Sequence, residues 1–235
     1  MSFNQFSRFN KLYGEGSSDL LFNKHVIIFG VGGVGSFTAE ALARSGLGSL
    51  TLVDDDIVDI TNINRQIQAT HETIGLSKAQ VLKDRLLTIH PKMCITVEEK
   101  YFDENSNKYF EFEKYNFIVD AIDSVKSKIL LIQTAFDSGV PIISSMGAGN
   151  KFDPTRFRVS DIEKTSVCPL ARIIRKEMRD RGIKGLRVVW SDEVPIKIMH
   201  SKDQGPGSSA FVPPVAGLII ASEVVNKLLE RENYG

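Results

Sequence analysis

The sequence predicts an α/β protein: a mostly parallel sheet with helices on both faces, extended toward the C-terminus by further strands and helices packed on the same sheet. Two observations carry this expectation. Short apolar runs alternate with helical stretches from residue 25 to residue 150, the order that right-handed crossovers fold into a parallel sheet. The first run, His25-Val-Ile-Ile-Phe29, opens onto Gly30-Val-Gly32-Gly33-Val-Gly35 and then a helical stretch, the strand, turn and helix of a Rossmann-like nucleotide half-site.

Each element follows from local chemistry. Residues 1–24 are polar and aromatic, broken at Gly14-Glu-Gly16-Ser-Ser18, and form an arm or short helix ahead of the fold. A strand at 25–29 leads through the glycine turn to a helix over 34–46, ended by Gly46, and a strand over 50–54. Asp55–Thr70 is a long polar connection, a type that is often functional in compact domains. Ser77–His90 reads as a helix stopped by Pro91. Ile95–Val97 and Phe117–Asp120 are strands, and the aromatic, charged segment between them has room for a helix. Ser124–Ser138 is helical and ends at Gly139-Val-Pro141, after which Ile142-Ile143 leads into Gly147-Ala-Gly149. Beyond Asn150 come Arg156–Val159, a basic helix-like run, Leu186–Trp190, a Gly/Ser/Pro loop at Ser201–Ser209 and an amphipathic helix from about Val215 to Glu230.

The bulk composition narrows the partners. Twenty-nine basic residues balance 29 acidic ones in 235, so no global charge draws the chain to nucleic acid or an anionic membrane. With 42% hydrophobic and 25% charged residues the chain is an ordinary globular protein. Cys94 and Cys168 are too few for a disulfide framework or a four-thiolate zinc site. The first residues lack a signal-peptide pattern and no stretch approaches the length of a membrane span, so a cytoplasmic protein with no membrane span is expected.

The chemistry converges on one edge of the sheet. Gly30, Gly32, Gly33 and Gly35 let backbone N–H groups approach phosphates at a helix N-terminus. Asp54 closes the next strand, where a carboxylate accepts hydrogen bonds from ribose hydroxyls, and Asp56 follows two residues on. These features alone fit NAD, FAD or ATP equally. Asn62-Ile-Asn64-Arg65-Gln66 and Lys78 add cations that a dinucleotide does not require, whereas attack on the α-phosphorus of a triphosphate needs charge neutralised on the departing pyrophosphate. Asp120-Ala-Ile-Asp123 closes another strand at the same edge, and a carboxylate there suits Mg²⁺ or, equally, caps the following helix.

The ordered set Gly30-x-Gly-Gly-x-Gly35, Asp54-x-Asp56, Asn62-x-x-Arg65-Gln66, Gly-x-x-Lys78-Ala79 and Asp120-x-x-Asp123 resembles the ubiquitin-activating-enzyme-like superfamily, which includes the bacterial adenylating enzymes ThiF and MoeB. That resemblance implies ATP and Mg²⁺ as cofactors, Asp54 on the ribose, Asn62, Arg65 and Lys78 on the phosphates, and Asp123 on the Mg²⁺. It also implies a homodimer in which Arg8, in Ser7-Arg-Phe-Asn10, reaches a neighbouring subunit's ATP. Arg65, Lys78, Asp123 and Arg8 are then the catalytic set. Residues 25–150 would be the ATP-binding core and residues 151–235 the substrate-facing part of the same domain. ThiF and MoeB carry paired C-x-x-C zinc ligands; two isolated cysteines imply no zinc here.

Lys11-Leu-Tyr-Gly14, Thr61-Asn-Ile-Asn-Arg-Gln-Ile67, Asp120–Val125, Gly147-Ala-Gly149 with Asp153-Pro-Thr155, Lys164-Thr165 and Pro169-Leu170 narrow the resemblance to the zinc-free tRNA threonylcarbamoyladenosine dehydratases. That group implies a tRNA substrate bearing threonylcarbamoyladenosine, whose carboxylate is adenylated and then displaced within the same nucleoside. The run from Ala171 to Arg187 holds seven basic residues against two acidic ones, a balance that suits an RNA backbone or a solvated helix face. Phe152, Phe157, Trp190 and Phe211 are core residues or base-stacking platforms. No general base is identified by sequence: His71 and His200 are general-base candidates or surface residues, Cys168 is a structural thiol, and the Gln204–Ser209 loop is a flexible link or a cover over substrate. Two other readings stay open: adenylation of the C-terminal glycine of a ubiquitin-like sulfur carrier, with a sulfur-carrier or desulfurase partner, and a redox or sensor protein binding a nucleotide.

Overall fold

The computed structural model describes residues 4–196 and 205–230. Its strands are β1 (His25–Phe29), β2 (Ser49–Val53), β3 (Cys94–Glu98), β4 (Phe117–Asp120), β5 (Ile142–Ser145), β6 (Phe157–Asp161) and β7 (Arg187–Ser191). They form one seven-stranded sheet in the order β3-β2-β1-β4-β5-β7-β6, parallel throughout except where β6 pairs antiparallel with β7. The later strands β6 and β7 therefore extend the sheet begun by β1 to β5.

The inner strands β1 and β4 are apolar at successive positions because both faces are covered, whereas the edge strands β3 and β6 are partly exposed. In β1, Val26 and Ile28 face one core with α3 (Gly35–Ser45), α4 (Lys78–Ile89) and α8 (Val212–Leu228). Ile27 and Phe29 face a second core with α6 (Val125–Ser138) and α7 (Pro169–Asp180). Phe29, Phe102, Phe110 and Phe112 cluster there, with the Phe29 and Phe102 rings 4.7 Å apart. The segment between β3 and β4 that supplies three of these rings holds a single helical turn, α5 (Glu104–Asn107), and a 3-10 turn at Phe112–Lys114.

Two expectations shift. The N-terminal stretch folds into α1 (Ser7–Tyr13) and α2 (Ser17–Phe22), and Leu21 enters the core while Asn10 donates to Ser18 at 2.9 Å. The last helix begins at Val212 rather than 215, because Pro213 and Pro214 occupy its first turn, where a missing N–H costs no helical bond. It is apolar nearly all round rather than amphipathic, being wedged against α3 so closely that a Cβ on Gly217 would stand 2.3 Å from the Val34 carbonyl oxygen. No helix among the described residues is long and apolar enough to cross a membrane.

Candidate active site

Strand order reverses about β1: the chain leaving β1 moves to β2 and β3 on one side, and β4 and β5 lie on the other. The carboxyl ends of β1 and β4 thus border a crevice, where open α/β sheets bind ligands. A cavity of about 710 Å³ opens there.

The glycine turn is shaped by contacts a side chain would break. Gly30 is left-handed (φ +85°) and a Cβ on it would stand 2.7 Å from the Ala121 carbonyl oxygen; one on Gly35 would stand 1.9 Å from the Gly30 carbonyl oxygen. A Cβ on Gly33 would lie 3.0 Å from Pro213 and 3.4 Å from the Arg65 stem. Gly32 has ordinary room toward Gln66. No side chain caps α3, and the helix dipole favours negative charge at that end, although Ser36 N already donates to the Gly32 carbonyl at 3.1 Å.

Asp54 ties the second strand to this turn. Its Oδ2 accepts from Val31 N at 2.7 Å and its Oδ1 from Asp56 N at 3.0 Å. Burial raises its pKa above the ordinary carboxylate value, against the pull of those two N–H groups and of Lys78. Lys78, the first residue of α4, is nearly enclosed and its ammonium meets the exposed Asp56 carboxylate at 2.5 Å. Asn62 is buried in a reciprocal cap: Asp59 N donates to its Oδ1 at 3.0 Å, and Asp59 accepts from Thr61 N at 2.8 Å. That cap turns the chain so that Arg65 lies over Gly33, with one guanidinium nitrogen held by the Thr61 carbonyl and Asn64 Oδ1, both at 2.9 Å. Arg65 has no carboxylate partner among the described residues.

Gly30, Gly32, Gly33, Asp54, Asp56, Asn62, Arg65, Gln66, Lys78 and Asp123 all line this one cavity, whereas Gly35, the first residue of α3, does not. Arg8 does not line it; it stands exposed on α1 with no ion pair among the described residues. His71 is exposed and away from the cavity. His200 and Gln204 lie outside the described residues.

The two carboxylates of Asp120-x-x-Asp123 separate in role. Asp120 is fully buried and accepts from Lys128 Nζ at 2.8 Å, Ser144 Oγ at 2.5 Å and Ile122 N at 3.1 Å. Asp123 is exposed to the cavity, and Ser124, not Asp123, caps α6. Lys128 carries no sequence signal, because Lys126-Ser-Lys128 in a helix looks like a solvated face; only its position beneath β4 and β5 distinguishes it. Tyr101 likewise carries no local sequence signal. Its phenol reaches the cavity mouth, donates to Ser124 Oγ at 3.0 Å and accepts from Ser127 Oγ at 3.1 Å.

The far wall is built by Gly147, Ala148, Gly149, Leu170 and Pro206. Buried Lys151 donates to the Gly147 carbonyl at 3.0 Å, and burial pushes its pKa down, against the pull of Cys168 and Glu193. Cys168 is buried at the start of α7; Cys94 opens β3 and is exposed. In the basic run, Lys176 and Arg179 meet Asp180, Arg181 meets Glu177 and Arg187 meets Glu223, while Arg175 donates to Thr165. Arg172 and Lys184 are exposed without ion pairs among the described residues. Phe157 and Trp190 are core residues, whereas Phe152 and Phe211 are 70% and 65% exposed.

A glycine turn, a strand-end carboxylate and two lysine or arginine cations around one switch-point crevice define a nucleotide-binding α/β protein. More narrowly, the chain belongs to the ThiF family, whose model matches residues 5–234. It is 43% identical over 241 residues to the tRNA threonylcarbamoyladenosine dehydratase of Bacillus subtilis (strain 168), covering 96% of this chain and 95% of that one. The crystal structure of Escherichia coli tRNA N6-threonylcarbamoyladenosine dehydratase, TcdA, in complex with AMP superposes with a TM-score of 0.89 at 35% identity, covering 96% and 94% of the two chains. The same E. coli protein in complex with ATP gives a TM-score of 0.88 at 34% identity, with the same coverage.

Proposed function

We propose that this chain is an ATP-dependent tRNA threonylcarbamoyladenosine dehydratase that works through a carboxyl-adenylate. The observation that carries the reading is end-to-end likeness to dehydratases, one of them solved with ATP and with AMP, in a chain whose own motif residues surround a single cavity.

In this reading the glycine turn and the N-terminus of α3 cradle phosphates, and Asp54 keeps lone pairs for a ribose hydroxyl beside its two backbone bonds. Asn62, Gln66, Arg65 and Lys78 line the phosphate side. Lys78 begins paired with Asp56, so an incoming triphosphate competes for an ammonium already in place. Asp123 fits Mg²⁺: an exposed cavity carboxylate, with no hydrogen bond among the described residues, matches an ion that takes few protein ligands and completes its shell with water and phosphate. The neighbouring triplet fits less well, since Asp54 is bonded to backbone and Asp56 to Lys78, leaving Asp55. When bound, Mg²⁺ would neutralise phosphate charge.

The threonylcarbamoyl carboxylate attacks the α-phosphorus and pyrophosphate leaves. A nucleophile in the same nucleoside then attacks the activated carbonyl, AMP leaves with the former carboxylate oxygen, and the ring closes; the net loss from the tRNA is one water. Arg65 and Lys78 hold the charge that builds on the departing groups. Ring closure within one nucleoside needs no enzyme thiol and gains from high effective molarity.

Further parts of the reading are a homodimer in which Arg8 completes the partner's site, residues 25–150 as the ATP-binding core with residues 151–235 facing the tRNA, an enzyme without zinc, and a cytoplasmic setting. Arg172, Lys184, Phe152 and Phe211 supply exposed charge and aromatic surface for RNA. The test is mass spectrometry of tRNA nucleosides after incubation with enzyme and ATP, where loss of one water must depend on ATP. Pyrophosphate release with a ubiquitin-like sulfur carrier, and never with modified tRNA, overturns the reading.

A further inference from the structure

The far wall of the cavity is joined by one residue that does not touch the cavity. Asn150 has a left-handed backbone (φ 59°). From there its side-chain Oδ1 accepts from Gly207 N at 2.7 Å and its backbone N donates to the Gly207 carbonyl at 2.8 Å. Its own carbonyl accepts from Ile196 N at 2.9 Å. One asparagine therefore bonds the chain on both sides of residues 197–204.

Those bonds set where cavity-lining groups sit. Gly149 and Pro206 pack so closely that a Cβ on Gly149 would stand 2.7 Å from the Pro206 Cβ. The next residue on one side, Lys151, holds the Gly147 carbonyl, and Glu193 accepts from Phe152 N at 2.9 Å and Asp153 N at 3.0 Å. Across the cavity mouth, Asn64 beside Arg65 donates to the Ser208 carbonyl at 3.2 Å. The loops 147–153 and 205–211 thus form one wall, stapled at Asn150.

Position on the sheet says what this wall meets. Asp54 follows β2 and the glycine turn follows β1, whereas the wall follows β5, two strands further along and roughly 10 Å from β1. A nucleotide with its ribose at Asp54 and phosphates at the glycine turn leaves the β5 side for the group that attacks phosphorus.

Resting on the function proposed above, we propose that Asn150 is a positioning residue for the acceptor: it holds the 147–149 and 205–207 wall against which the anionic, carboxylate-bearing nucleoside is placed, without contributing to nucleotide binding. Three measurements on the full chain test this: ATP affinity by calorimetry, KM and kcat with threonylcarbamoyl-modified tRNA, and the same set for two variants. Asn150→Gly keeps the left-handed backbone at no steric cost and removes the acceptor oxygen; Asn150→Asp retains that oxygen. Asn150→Gly should raise the KM for modified tRNA about tenfold, the scale of one lost hydrogen bond, with ATP affinity within about twofold of wild type, and Asn150→Asp should recover most of the loss. An Asn150→Gly enzyme with unchanged KM, one that loses ATP affinity in parallel, or an Asn150→Asp enzyme as poor as the glycine variant overturns the inference. A wild-type enzyme that removes no water from modified tRNA overturns the functional reading and this inference together, an outcome distinct from a working wild type matched by its variants.

Discussion

Replacing Lys128 by methionine should destabilise the protein more than any other single lysine change at the described positions. Lys128 and Asp120 are both fully buried, their charged atoms 2.8 Å apart, and the ammonium also donates to Ser144 Oγ at 3.3 Å and the Ser145 carbonyl at 3.0 Å. Methionine nearly matches the lysine stem in volume, so the cavity term is small and the electrostatic term dominates. Asp120 would keep only Ser144 Oγ and Ile122 N, leaving a carboxylate without a counter-charge in the interior. Breaking a buried pair in this way costs about 3–5 kcal/mol, a fall in Tm of roughly 6–20 °C for a chain of this size. Removing both charges in Asp120→Asn/Lys128→Met should return much of that loss, since no charge is then left buried without its partner. Urea unfolding at pH 7 and one protein concentration measures both. A single variant that loses less than about 1 kcal/mol, or a double variant no more stable than the single one, would refute the argument that the pair is held by mutual compensation.

Arg65→Ala and Lys78→Ala should each lower turnover about 10²–10³-fold, the scale of losing one electrostatic stabiliser, with little loss of folding stability; near-wild-type turnover in both would remove their assigned roles. Mixing inactive Arg8 and Arg65 variants should recover activity through mixed dimers, and fully active monomers by analytical ultracentrifugation would count against Arg8 acting on a partner. Glu40 gives a pH signature: burial raises its pKa, but the hydrogen bonds and charges of Arg85 and Arg44 outweigh this and hold it below 4.5. A lowered folded-state value adds stability above 4.5 that is lost as pH falls through it, so Arg85→Gln should lower Tm most near neutral pH and by progressively less in acid. A gap that widens on acidification would contradict this.

Much of the nucleotide side was legible in the chain because its requirements are local. Gly30 needs a left-handed backbone and Gly35 a missing Cβ, and both demands are met within a few residues of β1. Strand ends place Asp54 and Asp123 at one edge by topology alone, and the alternation of strand and helix fixes that topology. Proline tolerance in a first helical turn explains why α8 starts earlier than its apolar pattern suggested.

What lay beyond the sequence is a matter of long-range contact. Lys126 and Lys128 are indistinguishable as residue types two apart on α6, yet Lys126 is exposed and Lys128 sits in the interior beside Asp120, because only one of them points down between β4 and β5. Asn150 reads as a loop residue until Gly207 and Ile196 arrive from elsewhere in the chain to bond it. The basic count between Ala171 and Arg187 is fixed by composition, but which cations stay unpaired depends on where Asp180, Glu177 and Glu223 fall in space. Backbone angles and strand order are set by short-range sterics and by hydrophobic period, so they can be read in one dimension. Charge compensation and loop stapling are set by separations of a few ångströms between residues far apart in the chain, and those separations exist only once the sheet has formed.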